Sequence, residues 1–360
     1  MKLAYITNVK IPACDAQNIQ VQAMCKVFFE KLNNNFILIS PKNKKNKDMS
    51  RGYRWYKINV FLFLPRFLRY MLLILLSFSK VLRFKPNIIY SRDIGVIYFY
   101  KIFGYKVVYE IHKPFETKIG NLIFRLIAKK VKIITISQAL KDFVIEKYHL
   151  DSKNILVAHD GVFLEKYESL NKKFSKEKMR KELGLFGNKF IVVYSSNLYK
   201  GKGLELVIEA AKKNKDCIFI IIGSRGKNQL KENPFPKNIR HIGRRKMGEI
   251  PEYLVGADAL IIPFTKELKT WKYHSALKSF EYMASKTPII TSNIGSLNEI
   301  FNEGNSYMFD PASVDDFVKK INMVRFELEK SNKKAMRSFE DVKNYTWQKR
   351  CDNILIFLFS

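Results

Sequence analysis

Residues 275–300 read SALKSFEYMASKTPIITSNIGSLNEI. A polar helix start is followed by Lys278 and Glu281, three residues apart and therefore on one helix face. An apolar strand and a small-residue turn ending in Glu299 come next. Lys278 can neutralise a phosphate, and Glu281 can accept hydrogen bonds from sugar hydroxyls. A helix N-terminus adds unpaired N–H groups and a partial positive charge. One short segment thus has the chemistry to hold a nucleoside diphosphate by its phosphates and its ribose together. An ordinary buried αβ unit would use the same apolar pattern.

A second segment, YSSNLYKGKGLELVIEAAKK (194–213), places Lys202 and Gly203 between a strand and a helix. Gly203 allows the backbone to turn sharply there. Alone, a Lys-Gly turn also fits a simple αβ connection. His112 closes the strand KVVYEIH, and Glu110, two residues earlier, lies on the same side of that strand and could orient it. A salt bridge is the plain structural reading of Glu110.

The 275–300 segment resembles the donor-site signature of family 4 of the retaining glycosyltransferases, within glycosyl transferases group 1. That signature runs through a polar residue, a small residue or Pro, Leu, Lys, then FEYMA, a Pro-initiated strand and a later Glu. In its fuller form, Glu-x7-Glu, Glu281 is the second Glu and Tyr273 stands at the first position. Residues 194–213 resemble a second signature, Gly-Arg-Leu, three residues, then Lys-Gly. Leu198, Lys202 and Gly203 match it, and Asn197 stands where the family has Arg. The resemblance spans nearly the whole chain and weakens before residue 86.

It implies the GT-B architecture, an α/β fold of two Rossmann-like domains facing a cleft. The second domain would hold the nucleotide sugar and the first would receive the acceptor. Catalytic roles fall by resemblance to His112, near the transferred sugar, to Lys202, on the donor pyrophosphate, and to Glu281, on the ribose. Lys200 and Lys278 would share the charge role that Asn197 lacks. Ser275 and the backbone N–H groups of Ala276 and Leu277 would cradle the distal phosphate. Gly223, Ser224 and Arg225 would line the nucleotide, and Arg244, with Arg245 and Lys246, would approach the base. A solvated basic turn is the other reading of those last three. Tyr273 counts as a donor-binding position whose contact to the sugar stays open. No metal or other cofactor is expected, the substrate being a nucleotide-diphosphate sugar.

Positioning these groups requires alternating strands and helices. Apolar runs at 2–8, 36–40, 87–91, 106–112, 132–137 and 154–162 predict strands, with helices near 17–33, 61–84, 94–103, 118–129 and 138–148. The pattern restarts with strands at 189–196, 217–223, 259–264 and 288–292 and helices at 203–214, 247–255, 276–285 and 313–331. Such alternation argues for parallel sheets. The domain reading is an N-terminal Rossmann-like acceptor domain over 1–165 and an interdomain segment over 166–188. A nucleotide-sugar domain over 189–340 and a C-terminal helix packing back over 341–360 follow.

The chain has 360 residues, 64 basic against 33 acidic, for a net charge of +31. That excess implies an anionic partner, whether phosphate, nucleic acid or a membrane. No recognisable nucleic-acid module is present, so a nucleic-acid partner is not expected. Residues 42–85 hold twelve Lys or Arg and one acid, Asp48. Within the 61–84 helix, Arg66, Arg69, Lys80 and Arg83 share one sector of roughly 100°, and the other faces are apolar. Such a helix could lie in an anionic bilayer surface. It could equally pack on the N-terminal sheet with its basic stripe in water. The longest apolar run, 70–79, is shorter than the roughly 20 residues a spanning helix needs. Cys14, Cys25, Cys217 and Cys351 lack metal-type spacing and read as reduced thiols of a cytoplasmic protein, possible at the inner face of a membrane.

The expectation is therefore a retaining, metal-independent glycosyltransferase acting in surface polysaccharide biosynthesis. Its partners would be a nucleotide sugar and a glycan or lipid-linked oligosaccharide. A non-catalytic glycosyltransferase-like partner subunit and a sugar-nucleotide epimerase of the same fold are the alternatives.

Overall fold

A computed structural model describes residues 1–11, 15–42, 52–61, 63–115, 117–185, 187–224 and 235–359. It divides into two compact units, Met1–His159 with Trp347–Ser360, and Asp160–Thr346. Most of the basic 42–54 loop, together with Cys14 and Arg225, lies outside the described residues.

The first unit is built on seven described strands, β1 (Leu3–Ile6), β2 (Phe36–Pro41), β3 (Arg54–Ile58), β4 (Ile88–Ser91), β5 (Val107–Ile111), β6 (Lys132–Thr135) and β7 (Ile155–Val157). They pair in parallel in the order β3-β2-β1-β4-β5-β6-β7. The crossovers are α1 (Ala16–Leu32), α2 (Arg66–Phe84), α3 (Ile94–Ile102), α4 (Lys118–Ile127) and α5 (Gln138–Tyr148). Parallel strands covered on both faces need continuous apolar runs, and every residue of β1, β2, β4 and β5 is buried. Side chains start the helices locally. Asp15 caps α1, Thr117 caps α4 and Ser137 caps α5, each accepting a backbone N–H three residues on.

The second unit opens with α6 (Glu165–Glu168) and α7 (Lys172–Glu182), in the stretch expected to bridge two domains. Its six described strands are β8 (Phe190–Ser195), β9 (Cys217–Ile222), β10 (Ile239–His241), β11 (Ala259–Ile262), β12 (Ile289–Ser292) and β13 (Tyr307–Phe309). They lie parallel in the order β10-β9-β8-β11-β12-β13. The helices are α8 (Leu204–Lys213), α9 (Ile250–Gly256), α10 (Leu277–Ala284), α11 (Val314–Phe326) and α12 (Leu328–Val342). α7 packs on α9, tied by Lys176–Asp258 at 2.6 Å and Lys178–Glu252 at 2.5 Å. The last helix, α13 (Trp347–Phe359), belongs to the first unit.

Two readings change. The helix expected over 61–84 begins at Arg66, after Pro65, whose ring removes a donor and fixes φ. Its basic stripe does not simply face water either. Arg69 has a buried Nε, and Lys80 lies 5.7 Å over the Tyr56 ring. Leu73, Ile74, Ser77 and Val81 pack inward, which leaves Phe67, Met71 and Leu75 exposed. The strands β3, β10 and β13 were not expected; all three are short edge strands, and β3 and β10 carry charge. Among the described residues no helix is long and apolar enough to cross a membrane.

Phe280 anchors α10 in the second core, fully buried and 5.2 Å from the Tyr345 ring. Phe280→Ala is expected to lower unfolding free energy by roughly 3–5 kcal/mol, measured by urea titration.

Candidate donor site

The order of the second sheet reverses between β8 and β11, and ligands of such sheets bind beyond the carboxyl ends of the strands at that point. The loops leaving β8 and β11 are pressed together there. Gly203 sits at φ +77°, and a Cβ on it would fall 1.7 Å from the Pro263 carbonyl oxygen. A Cβ on Gly201 would lie 2.2 Å from the Leu268 nitrogen, and the Thr265 N–H donates to the Gly201 carbonyl at 3.0 Å. Lys202 is held between these two glycines, with its own carbonyl accepting from the Tyr194 hydroxyl at 2.5 Å.

This geometry brings Lys202 to Lys278. The Lys202 Nζ is 3.9 Å from the centroid of the Phe264 ring, and the Lys278 Nζ is 5.0 Å from the same ring and from that of Tyr194. The Lys278 Nζ is buried without a hydrogen-bond partner. Burial lowers the Lys202 amine to about 8. Burial, then the neighbouring Lys202, pushes Lys278 well below the ordinary lysine value, with Glu281 pulling the other way. Glu281 is itself raised by burial, against the pull of Lys166 and Lys278. Two amines against π-faces, one lacking any polar partner, are arranged to receive an anion.

Lys278 stands in the first turn of α10. That helix has no side-chain cap and no acid in its first turn, and its Ser279 N–H donates to the Ala276 carbonyl at 2.8 Å. The Tyr282 hydroxyl accepts the Ser195 N–H at 2.9 Å and pins α10 to the end of β8. Ser275 lies just before the helix, its Oγ accepting the Asp160 N–H at 3.0 Å. Ala276 is the N-cap and Leu277 the first helical residue.

Other expected residues fall into separate groups. Asn197 Oδ1 accepts from the Ser224 hydroxyl at 3.0 Å, and the Leu198 N–H donates to the Ser224 carbonyl at 2.9 Å. Gly223 permits this approach, since a Cβ there would lie 1.8 Å from the Ser196 carbonyl oxygen. The Gly223 N–H reaches the Gly243 carbonyl at 2.8 Å, which sets the exposed Arg244 beside the end of β9. Lys200 does not join the lysine pair; it is 80% exposed and pairs with Glu267 at 3.2 Å. Tyr273 lies half-buried in the turn closed by Thr270. His112 belongs to the first unit, following β5, with Nε2 against Glu110.

One residue was missed. His274 has its ring 5.2 Å from Phe264, so three nitrogen-bearing side chains surround that phenyl ring. Its Nδ1 hydrogen-bonds the Thr270 carbonyl at 3.0 Å and must donate to it, which leaves Nε2 a lone pair. That Nε2 is buried and unpartnered. Burial, then Lys202, lowers the imidazole to about 3. Its place beside Tyr273 in the Glu-x7-Glu register was the available signal.

In the first unit, the sheet order reverses between β1 and β4. There Asn8, Asp15, Gln17, Asn18, Arg69 and Asp93 help to line a cavity of about 530 Å³.

Residues 175–338 match the family model described as glycosyl transferases group 1. That match lies within the second unit. The chain is 26% identical over 247 residues to spore coat protein SA of Bacillus subtilis, covering 62% of this chain and 63% of that one. It is 21% identical over 301 residues to sulfoquinovosyl transferase SQD2 of Arabidopsis thaliana, covering 75% and 56%. The chain thus spans less than two thirds of these relatives' own lengths. Anabaena Alr3699/HepE, solved in complex with UDP, superposes with a TM-score of 0.78 at 15% identity over 100% of both chains. That likeness extends through both units, and the fold is GT-B, two Rossmann-like units. Lys202 and Lys278 both lie inside the matched residues.

The depressed Lys202 has a consequence for stability. Its folded value of about 8 lies below the ordinary 10.5, so the unfolded chain binds more protons between those values, and stability rises with pH across that window. Below it the penalty is fully present. Lys202→Met is therefore expected to raise apo-protein stability at pH 7 by on the order of 1–3 kcal/mol and to flatten the rise between pH 8 and 10.5, read by denaturant titration across pH.

Proposed function

We propose that the chain is a retaining glycosyltransferase of family 4. It moves a sugar from a nucleotide-diphosphate sugar to a hydroxyl acceptor in surface polysaccharide biosynthesis. The observation that carries this reading is the unpartnered Lys278 amine beside Lys202, in the first turn of α10, a helix without a side-chain cap. A diphosphate supplies the two negative groups that this pair lacks. HepE, bound to UDP, supports the assignment by its likeness.

In the proposed reaction the bond from the anomeric carbon to the diphosphate breaks as that carbon bonds to the acceptor oxygen on the same face. The acceptor proton passes to the departing phosphate oxygen. Lys202 and Lys278 offset the charge that develops on the diphosphate, with no metal ion required. Glu281 accepts hydrogen bonds from the ribose. Ser275 and the N–H groups of Ala276 and Leu277 hold the distal phosphate. The His274 Nε2 lone pair accepts from a donor hydroxyl.

We further propose that the acceptor is a glycan or lipid-linked oligosaccharide and that the first unit sits on the inner face of an anionic membrane. α2, α3 and α4 form one layer. The Ser77 hydroxyl lies 2.7 Å from that of Tyr100, Phe78 packs 5.0 Å from Phe103, and α3 packs on α4. This layer exposes Phe67, Met71 and Leu75 from α2, Phe103 after α3, and Ile119, Leu122 and Leu126 from α4. None of the three helices contains an acid. Residues 1–160 carry 28 basic and 10 acidic side chains, a net +18. Exposed apolar surface on helices that carry cations and no acid matches an anionic bilayer. The cavity lined by Arg69 of α2 is the proposed entry for the acceptor.

A panel of UDP-, GDP-, ADP-, CMP- and dTDP-sugars should include one that raises the melting temperature, an effect lost in Glu281→Ala. Lys202→Ala should cut turnover by ~10²–10³-fold while the protein stays folded. No stabilisation by any donor would favour a non-catalytic partner subunit, and release of an isomerised free nucleotide sugar without acceptor would favour an epimerase. Sedimentation with phosphatidylglycerol liposomes at moderate salt should be strong for the wild type and weak for Phe67→Ser with Leu75→Ser. Equal sedimentation of the two would remove the membrane assignment.

A further inference from the structure

Glu110 has no exposed side-chain surface, and each of its oxygens is occupied. Oε1 accepts from the Gln20 amide at 2.8 Å and contacts His112 Nε2. Oε2 accepts the Tyr90 hydroxyl and forms an ion pair with Arg350 Nη2 at 3.0 Å. Arg92 is a second cation, its Nε 3.9 Å from Oε1. Arg350 comes from α13, is 2% exposed in its side chain, and also donates through Nη1 to the carbonyls of Ala158 and His159, the latter at 2.7 Å. Burial raises the Glu110 carboxyl, but Arg350, His112 and the hydrogen bonds outweigh it and bring it down to about 2. Burial, then Arg92, lowers the His112 imidazole to about 4, against the pull of Glu110.

A carboxylate accepts only, so the ring nitrogen facing it must carry the proton. In a neutral imidazole the other nitrogen then has a lone pair. We infer that Arg350 is a positioning residue for His112, acting through Glu110. It holds His112 as the Nε2–H tautomer, so that Nδ1 presents a lone pair to a ligand hydroxyl. His112 thus receives a hydroxyl hydrogen bond from the substrate and does not donate one. This inference rests on the proposed function and on the family resemblance that puts His112 near the transferred sugar. The tautomer itself does not. The last helix of the chain, remote in sequence from β5, in this way sets the hydrogen-bonding sense of a first-unit site residue.

The test is nitrogen-15 NMR of histidine-labelled full-length protein, titrated with acid, beside pH profiles of transfer. The wild type should show His112 as a single Nε2–H tautomer. Arg350→Met should let His112 protonate at higher pH, a shift on the order of one pH unit. The acid limb of kcat should move with it, while KM for the donor stays unchanged. Glu110→Gln should release the single tautomer into a mixture. It provides the second variant if Arg350→Met fails to fold, as loss of a buried counter-ion can cause. An Nδ1–H tautomer in the wild type would overturn the inference. So would an unchanged His112 titration in folded Arg350→Met, or a single Nε2–H tautomer retained in Glu110→Gln. The expected tautomer without transfer from any donor would instead remove the proposed function and leave the Arg350–Glu110–His112 linkage standing.

Discussion

Two lysine side chains desolvated around one phenyl ring dominate the second unit. Lys202 and Lys278 each stand within 5.0 Å of the Phe264 centroid, and burial makes both poor ammonium ions until an anion arrives. Holding like charges together out of water costs free energy, and backbone close packing is what enforces it. Gly201 and Gly203 let the loop after β8 touch the loop after β11 with no side chain between them. The Tyr282–Ser195 bond fixes α10 against the same strand end. Without that packing the amines would move apart into solvent. The fold in this region stores an electrostatic strain.

The first unit solves the opposite problem. A buried carboxylate, Glu110, is surrounded by two guanidinium groups, a phenol and an amide until its charge is fully met. Satisfying it orders residues from α1, β4, β5 and α13 about a single point. Such networks are costly when incomplete and specific when complete. One unit thus leaves a buried ammonium, that of Lys278, without a hydrogen-bond partner, and the other meets a buried anion from its own side chains.

Much of the fold was legible in the primary structure. Strands buried on both faces require unbroken apolar runs, and KLAYI, KVVYEI and CIFIII show them plainly. The edge strands β3 and β10 escaped because RWYKI and IRH carry charge and gain only one neighbour. The amphipathic character of α2 was visible, but its orientation was not. Helical periodicity assigns residues to faces without saying which face meets the sheet. Contacts with β3 and α3 draw Lys80 over Tyr56 and leave Phe67 and Leu75 outside.

The sequence by itself determined the two α/β repeats and the donor-site signature. Lys278 and Glu281 stood out by their i, i+3 spacing, and Lys202 and His112 by what the family resemblance implies. Tertiary structure decided which of these groups meet. It sent Lys200 to Glu267 at the surface, brought His274 to the lysine pair, and drew Arg350 across more than two hundred residues to Glu110. Spacing along a chain sets only which neighbours share a face. Charges far apart in sequence are paired or left unpaired by loop approach and helix docking, which exist only once the chain has folded.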